Sequence, residues 1–245
     1  MQNRRWLALG CAAAIPASIP AEVASAASFT ALKRCYVALP GTQPQTEQVN
    51  VAGTGYTPGV GVDIAIDGAP QVTGAPVSAM GRLGADPANP ILAPAPFIAR
   101  GARRFSLVAF QNGQPVANGT SRVAALDVSL SPRRARPSSR IRFSGRGFTG
   151  KGNVYAHYRF RGRTRRTVTF HPSGACGTFS AKKRQIPVSN PGTGNWTVQF
   201  DQERKYARQP KSVFVRLTIV VTRRIRFSRA TAAEATSARV VAAGL

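Results

Sequence analysis

Cys176 follows His171 by five residues, and a thiolate beside an imidazole is a nucleophile. That pair is the sharpest enzymatic arrangement the chain offers, and little else supports it. Two histidines, His157 and His171, and nine acidic residues are present in 245, so acid–base catalysis has few groups to draw on. His157, His171 and Cys176 would give a zinc ion three ligands at best, without the closely spaced pairs that mark such sites. Asp63 and Asp67 flank Ile64–Ile66 and could approach a calcium ion, but two carboxylates without a third are the pattern of a solvated hairpin face. Gly53-Thr54-Gly55 is followed by Tyr56, Thr57 and Pro58, where a phosphate-binding loop needs a helix to begin. The expectation is a chain without catalytic residues, metal or cofactor.

Charge is the remaining chemical signal. The whole chain has a formal net charge of +25. Residues 128–229 hold 24 Lys or Arg against Asp201 and Glu203, whereas residues 29–127 hold 7 against 5. A net of 22 in one segment exceeds the roughly 2 to 8 usual for the surface of a small domain; it would draw polyanions, the alternative being solvated charge that keeps the protein soluble without a specific ligand. Strand alternation through residues 155–161 turns Ala156, Tyr158 and Phe160 inward and His157, Arg159 and Arg161 outward. Arg163, Arg165 and Arg166 extend the same hairpin, and inward Ile141 and Phe143 leave Arg140 and Arg142 on the surface. These seven arginines, Arg140, Arg142, Arg159, Arg161, Arg163, Arg165 and Arg166, are the candidate polyanion-binding residues, expected as a basic strip on one sheet face. Trp196, Tyr158 and Phe148 are expected in the core. Zinc-finger, helix-turn-helix and RNA-recognition patterns are absent, so any nucleic-acid binding would be phosphate-directed and salt-dependent rather than sequence-specific.

The elements that carry these residues read as strands. Val49-Asn50-Val51-Ala52-Gly53-Thr54-Gly55-Tyr56-Thr57 recurs 92 residues later as Ile141-Arg142-Phe143-Ser144-Gly145-Arg146-Gly147-Phe148-Thr149. Each copy is an alternating strand ending in a tight G-x-G-aromatic-Thr turn, and the spacing suits one small sandwich per copy. Asp67-Gly68, Asn112-Gly113 and Arg161-Gly162 are hairpin turns between alternating runs. Trp196–Phe200 alternates cleanly, and Val213, Val215, Leu217, Ile219 and Val221 share one face. Residues 69–96, rich in Pro, Ala and Gly, read as an irregular connection or edge. Helical periodicity is absent from the body of the chain.

Arg4-Arg5, an apolar run from Trp6 broken at Pro16 and Pro20, and Ala24-Ser25-Ala26 form the three-part pattern of a cleaved secretory signal over residues 1–26. The resulting partition is a sandwich over 27–126, a basic sandwich over 127–228, and a disordered or short helical tail over 229–245. In an oxidising compartment the two remaining cysteines, Cys35 and Cys176, are expected as a disulfide joining the domains, the alternative being two buried thiols that never meet.

Strand, G-x-G-[YF]-T turn, hairpins and closing strand together resemble the immunoglobulin-like and fibronectin-like repeats of bacterial secreted proteins. Gly145-Arg146-Gly147-Phe148, Ala156-His157-Tyr158, Cys176-Gly177-Thr178 and Gly194-Asn195-Trp196 also resemble exported proteins of high-GC actinobacteria. The resemblance implies an all-β fold of two tandem Ig-like β-sandwiches and brings no activity with it. Secreted Cys-dependent transpeptidases hold their cysteine in a Ser-His-Gly-Cys loop, and Ser173-Gly174-Ala175-Cys176 lacks that histidine. The functional expectation is a secreted or cell-surface, non-enzymatic module that contacts anionic envelope polymer or lipid. The alternatives are a structural spacer that binds a protein partner through a sheet edge and, with the least support, a secreted Cys-dependent enzyme.

Overall fold

The computed structural model describes residues 26–41, 43–209, 211–220, 224–227 and 240–243. The expected signal segment up to Ser25, the face position of Val221 and most of the expected tail lie outside them. Every regular element described is a strand. The first ten are β1 (Ser28–Phe29), β2 (Tyr36–Leu39), β3 (Gln45–Thr46), β4 (Gln48–Asn50), β5 (Gly53–Thr54), β6 (Val62–Ile66), β7 (Ala69–Ala75), β8 (Leu92–Pro94), β9 (Ala102–Gln111) and β10 (Gln114–Ala125). They make a six-stranded sheet, ordered β3-β2-β10-β9-β6-β7, faced by the short pairs β1-β5 and β4-β8. Between the layers Tyr36, Ile64, Phe105 and Leu107 meet Val49, Val51, Tyr56 and Leu83.

The second unit is a sandwich of three and four strands, the layer arrangement of immunoglobulin-like domains. Its strands are β11 (Asp127–Ser131), β12 (Arg140–Arg146), β13 (Val154–Phe160), β14 (Arg163–Phe170), β15 (Phe179–Arg184), β16 (Gly194–Asp201) and β17 (Val213–Ile219). One sheet is β11-β12-β15, the other β14-β13-β16-β17. Phe143, Phe170 and Phe200 pack ring to ring between them, at centroid distances of 5.7 to 6.2 Å. Tyr158 and Trp196 are also enclosed. Residues Arg224–Phe227 pair antiparallel with Val240–Ala243. That part of the tail is therefore extended rather than helical or disordered, as its β-branched Val240-Val241 favours.

All three hairpin signals are met, because Asp67, Asn112 and Arg161 take φ of 49 to 50° and each following glycine 74 to 80°. Two successive positive φ values are the type I′ turn that matches strand twist. The expected irregular stretch is ordered at its start: Ala69–Ala75 pairs with β6 as the sheet's edge strand. Pro70 is tolerated there because an edge position has a side with no ladder partner.

The repeated turn has one physical explanation in both copies. A Cβ on Gly53 would run into the Ser28 carbonyl oxygen and lie 2.8 Å from the Tyr56 ring, and one on Gly145 would run into the Phe179 ring and lie 3.1 Å from that of Phe148. The first glycine makes room for an aromatic ring in both copies, and at Gly53 for the β1 backbone as well, while Gly55 and Gly147, at φ 81° and 83°, turn the chain so that Tyr56 and Phe148 enter the core. Only glycine takes that backbone conformation without steric cost.

The two sandwiches share a strand. In β2, Tyr36 and Ala38 belong to the first core, whereas Val37, and Leu39 packed beside it, belong to the second. The strand pairs parallel with β10, which leads directly into β11, so its second face meets the next domain. Cys35 and Cys176 are disulfide-bonded at this junction, across 141 positions of sequence. Glu47 accepts hydrogen bonds from Lys33 Nζ (2.7 Å), from Val37 N–H (3.0 Å) and, across the domain boundary, from Lys211 Nζ (2.8 Å).

Candidate polyanion-binding surface

On β12 the alternation buries Ile141 and Phe143 and leaves Arg140 and Arg142 exposed. On β15 it buries Phe179 and exposes Ser180, Lys182 and Arg184. The register then sets Arg140 directly opposite Arg184, and Arg142 opposite Lys182. Like charges facing each other across a ladder repel. Arg140 Nη2 donates to the Lys182 carbonyl at 3.3 Å, and no carboxylate answers these four cations among the described ion pairs. Arg133, Arg134 and Arg136 occupy the connection between β11 and β12. Below the cations lies a rung of Ser129, Ser144 and Ser180, with the last two hydroxyls 3.3 Å apart.

The remaining candidates sit on the other sheet, and they do not form the expected single strip. Arg140 and Arg142 point away from the three-stranded sheet, and Arg159 to Arg166 belong to the four-stranded one. The outward faces of two packed sheets look in opposite directions, so the two groups are not neighbours. Within the β13–β14 hairpin, Arg161, Arg163, Arg165 and Arg166 are all exposed. Phe160 faces Arg163 and Tyr158 faces Arg166, with a bulge that leaves Arg165 without a partner, so these arginines fan out around the hairpin.

His157 and Arg159, expected outward in solvent, are outward but covered. His157 is fully buried because the segment after β16 folds back across the sheet. Its Nε2 donates to the Glu203 carbonyl at 3.0 Å, and its Nδ1 lies 3.1 Å from Thr167 Oγ1. Since a carbonyl can only accept, Nε2 carries the proton and Nδ1 accepts from the hydroxyl in the neutral ring. Buried Asp201 accepts from Gln199 Nε2 at 2.5 Å and from Glu203 N–H at 2.8 Å. Tyr206 packs edge-on to His157 and lies 4.0 Å under the Arg159 guanidinium, which also donates to the Tyr206 hydroxyl and the Gly162 carbonyl. Alternation reports the side of a sheet, not what lies over it.

The other chemical candidates are engaged. Cys176 is in the disulfide, so its sulfur is not a free thiolate. His171 Nδ1 is 2.8 Å from Asn153 Oδ1. Asp63 accepts from Gly74 N–H, and Asp67 from Ser106 N–H and Arg103. Burial raises the Asp67 carboxyl, but these donors outweigh it and hold the group below the ordinary aspartate value. Among the described residues no three His, Cys, Asp or Glu side chains gather as a metal site. Burial pushes the Tyr56 hydroxyl up to about 12 and that of Tyr158 higher still.

No protein-family model matches the chain, and no curated protein matches it. Among solved structures it is similar to a tetra-tandem repeat from the extending region of a large adhesion protein, with 19% identity and a TM-score of 0.27. That alignment covers 80% of this chain and 52% of the other, so the chain spans about half of its length. An Ig tandem of titin is similar at 11% identity and a TM-score of 0.24, over 79% of this chain and 97% of that one.

Lys182 and Arg184 are the residues that sequence reasoning missed. Their alternation with Phe179 and Ala181 was a usable signal for an outward pair, but nothing local identifies Arg140 and Arg142 as their partners.

Proposed function

We propose that this chain is a non-enzymatic, extracellular β-sandwich module whose basic second domain binds an anionic envelope polymer through the outward face of β11-β12-β15. The observation that carries this reading is the opposition of Arg140 to Arg184 and of Arg142 to Lys182 without a carboxylate between them. Such pairs lower the stability of the free protein, and a row of phosphates or carboxylates relieves them. The disulfide supports an oxidising compartment, where wall polymers and anionic lipid headgroups are the abundant polyanions.

The deciding experiment compares the wild-type chain with Arg140→Gln/Arg142→Gln/Lys182→Gln/Arg184→Gln. Binding to poly(glycerol phosphate), anionic vesicles and DNA is followed across a salt series. Loss of binding to one polymer at physiological salt, in a variant that melts no lower than wild type, supports the reading. Unchanged binding, or equal dissociation from all three ligands in the wild type, overturns it in favour of solvated charge.

A second reading rests on β17. This strand is at a sheet edge, Phe214 on it is 50% exposed, and a cleft of about 550 Å³ between β11 and β17 is lined by Val128, Leu130, Phe214 and Leu217 together with Arg100, Asp127, Arg133 and Arg216. An open edge with an apolar side chain suits strand addition by a protein partner. Concentration-dependent self-association abolished by Phe214→Glu would favour it.

A further inference from the structure

Four of the seven cations in residues 29–127 line one cleft. It lies at the domain junction, has a volume of about 400 Å³, and is bordered by Lys33, Arg34, Arg104 and Arg122, by Thr120, and by Ala175 of the second sandwich. The β9–β10 register places Arg104 directly opposite Arg122, and both are exposed. Lys33 is paired with Glu47. Arg34, Arg104 and Arg122 take part in none of the described ion pairs, and no acidic side chain lines the cleft.

General basicity does not account for this. The first domain is nearly balanced in charge, so solubility does not call for three unneutralised guanidiniums at one place, and the Arg104/Arg122 opposition works against the fold. The cleft is also braced. Arg34 and Ala175 immediately precede the bonded Cys35 and Cys176, and Ser121 Oγ donates to the Lys33 carbonyl at 2.5 Å. The backbone that carries Arg34 and Arg122 is therefore held in place before a ligand arrives.

We infer that this cleft is an anion-binding site for a phosphorylated sugar or polyol. Guanidinium forks match the oxygens of a phosphate in pairs. Three of them call for more than one negative charge, as a phosphate monoester carries. The Thr120 hydroxyl is a further donor at the rim. The volume lies within the range of small-molecule pockets and exceeds what a bare phosphate fills, leaving room for the carbon skeleton that bears it. The site is separate from the surface proposed for polymer binding and stands or falls without it.

The test is an amide-shift titration of the full chain, in chloride buffer, with glycerol phosphate, inorganic phosphate, glycerol and poly(glycerol phosphate). Saturable shifts at Arg34, Arg104, Thr120 and Arg122 are expected, tighter for glycerol phosphate than for phosphate and absent for glycerol. Arg104→Gln/Arg122→Gln should weaken binding at least about tenfold, the scale of losing charged hydrogen bonds, while raising the melting temperature of the free protein. Arg140→Gln/Arg142→Gln should leave this titration unchanged. Shifts that do not saturate, that spread over the second domain's cations, or that persist in the Arg104/Arg122 variant overturn the site. Equal affinity for phosphate and its glycerol ester overturns the polyol part, and preference for the polymer over the monoester assigns the ligand to chain phosphodiesters and overturns the monoester.

Discussion

Glu47 of the first sandwich accepts a hydrogen bond of 2.8 Å from Lys211 of the second, 164 residues away in sequence, while its other oxygen holds Lys33 and the Val37 N–H. One carboxylate therefore ties together the N-terminal approach to β2, the shared strand itself and the lead-in to β17.

This predicts an acid-sensitive junction. Burial raises the Glu47 carboxyl, but hydrogen bonds and charge from Lys211 and Lys33 outweigh it and hold the group below the ordinary value of 4.5. With the folded value depressed, the unfolded chain binds more protons in this range. The stabilisation is complete above the ordinary glutamate value and is lost as pH falls through the folded one. Thermal unfolding of wild type and Glu47→Gln should differ at neutral pH and converge in acid. The difference should be modest, about 1 kcal/mol, since both lysine arms are largely in water. Parallel curves at all pH values would show that the charge contributes nothing.

Breaking the disulfide should loosen the two sandwiches without unfolding either core. A link closing a loop of about 140 residues is worth about 5 kcal/mol in the chain-entropy model. Cys35→Ser/Cys176→Ser is expected to lower the melting transition and to split it into two steps, read by calorimetry. A single unshifted transition would count against this account of the junction.

Gly145→Ala should be costly, because its Cβ would overlap the Phe179 ring and press on that of Phe148. Overpacking of this kind costs on the order of 1–3 kcal/mol. Gly162→Ala, at an open turn with nothing within 4 Å, meets only the strain of its positive φ. Chemical denaturation should rank Gly145→Ala as the more damaging change.

The segment covering His157 should open when that residue is replaced. His157→Ala removes the donor to the Glu203 carbonyl and the ring beside Tyr206, leaving a cavity in a polar, enclosed site. Tryptic cleavage after Arg204 or Lys205 should accelerate several-fold relative to wild type. Equal cleavage rates would mean that Asp201 and Gln199 hold the segment alone.

Neutralising Arg140, Arg142, Lys182 and Arg184 one at a time should reduce the salt dependence of polymer binding by about one phosphate contact each. The same changes at Arg161 or Arg163 should alter it less, since the fanned hairpin offers no opposed pair.

Much of the fold was legible because it rests on short-range rules. Period-two alternation located the strands, Asp67-Gly68, Asn112-Gly113 and Arg161-Gly162 marked their hairpins, and the duplicated glycine-aromatic turn announced two similar units. Less of the candidate site was legible. Alternation turns Arg140 and Arg142 outward, but nothing local marks Lys182 and Arg184 as their partners or Arg34, Arg104 and Arg122 as a group, and it makes Arg159 a free cation where the structure lays it over Tyr206.

The sequence by itself determined that the body of the chain is β, which residues of its clearest strands face inward, where the tight turns fall, and that the charge concentrates in the second half. These follow from backbone sterics and residue type within a few positions. Only the tertiary structure decided that β2 serves two cores, that Arg140 meets Arg184, that a strap buries His157, and that three arginines converge beside the disulfide. Sheet membership and register depend on how segments dozens of residues apart pack against one another. Alternation names the face of a strand but not the neighbour across it.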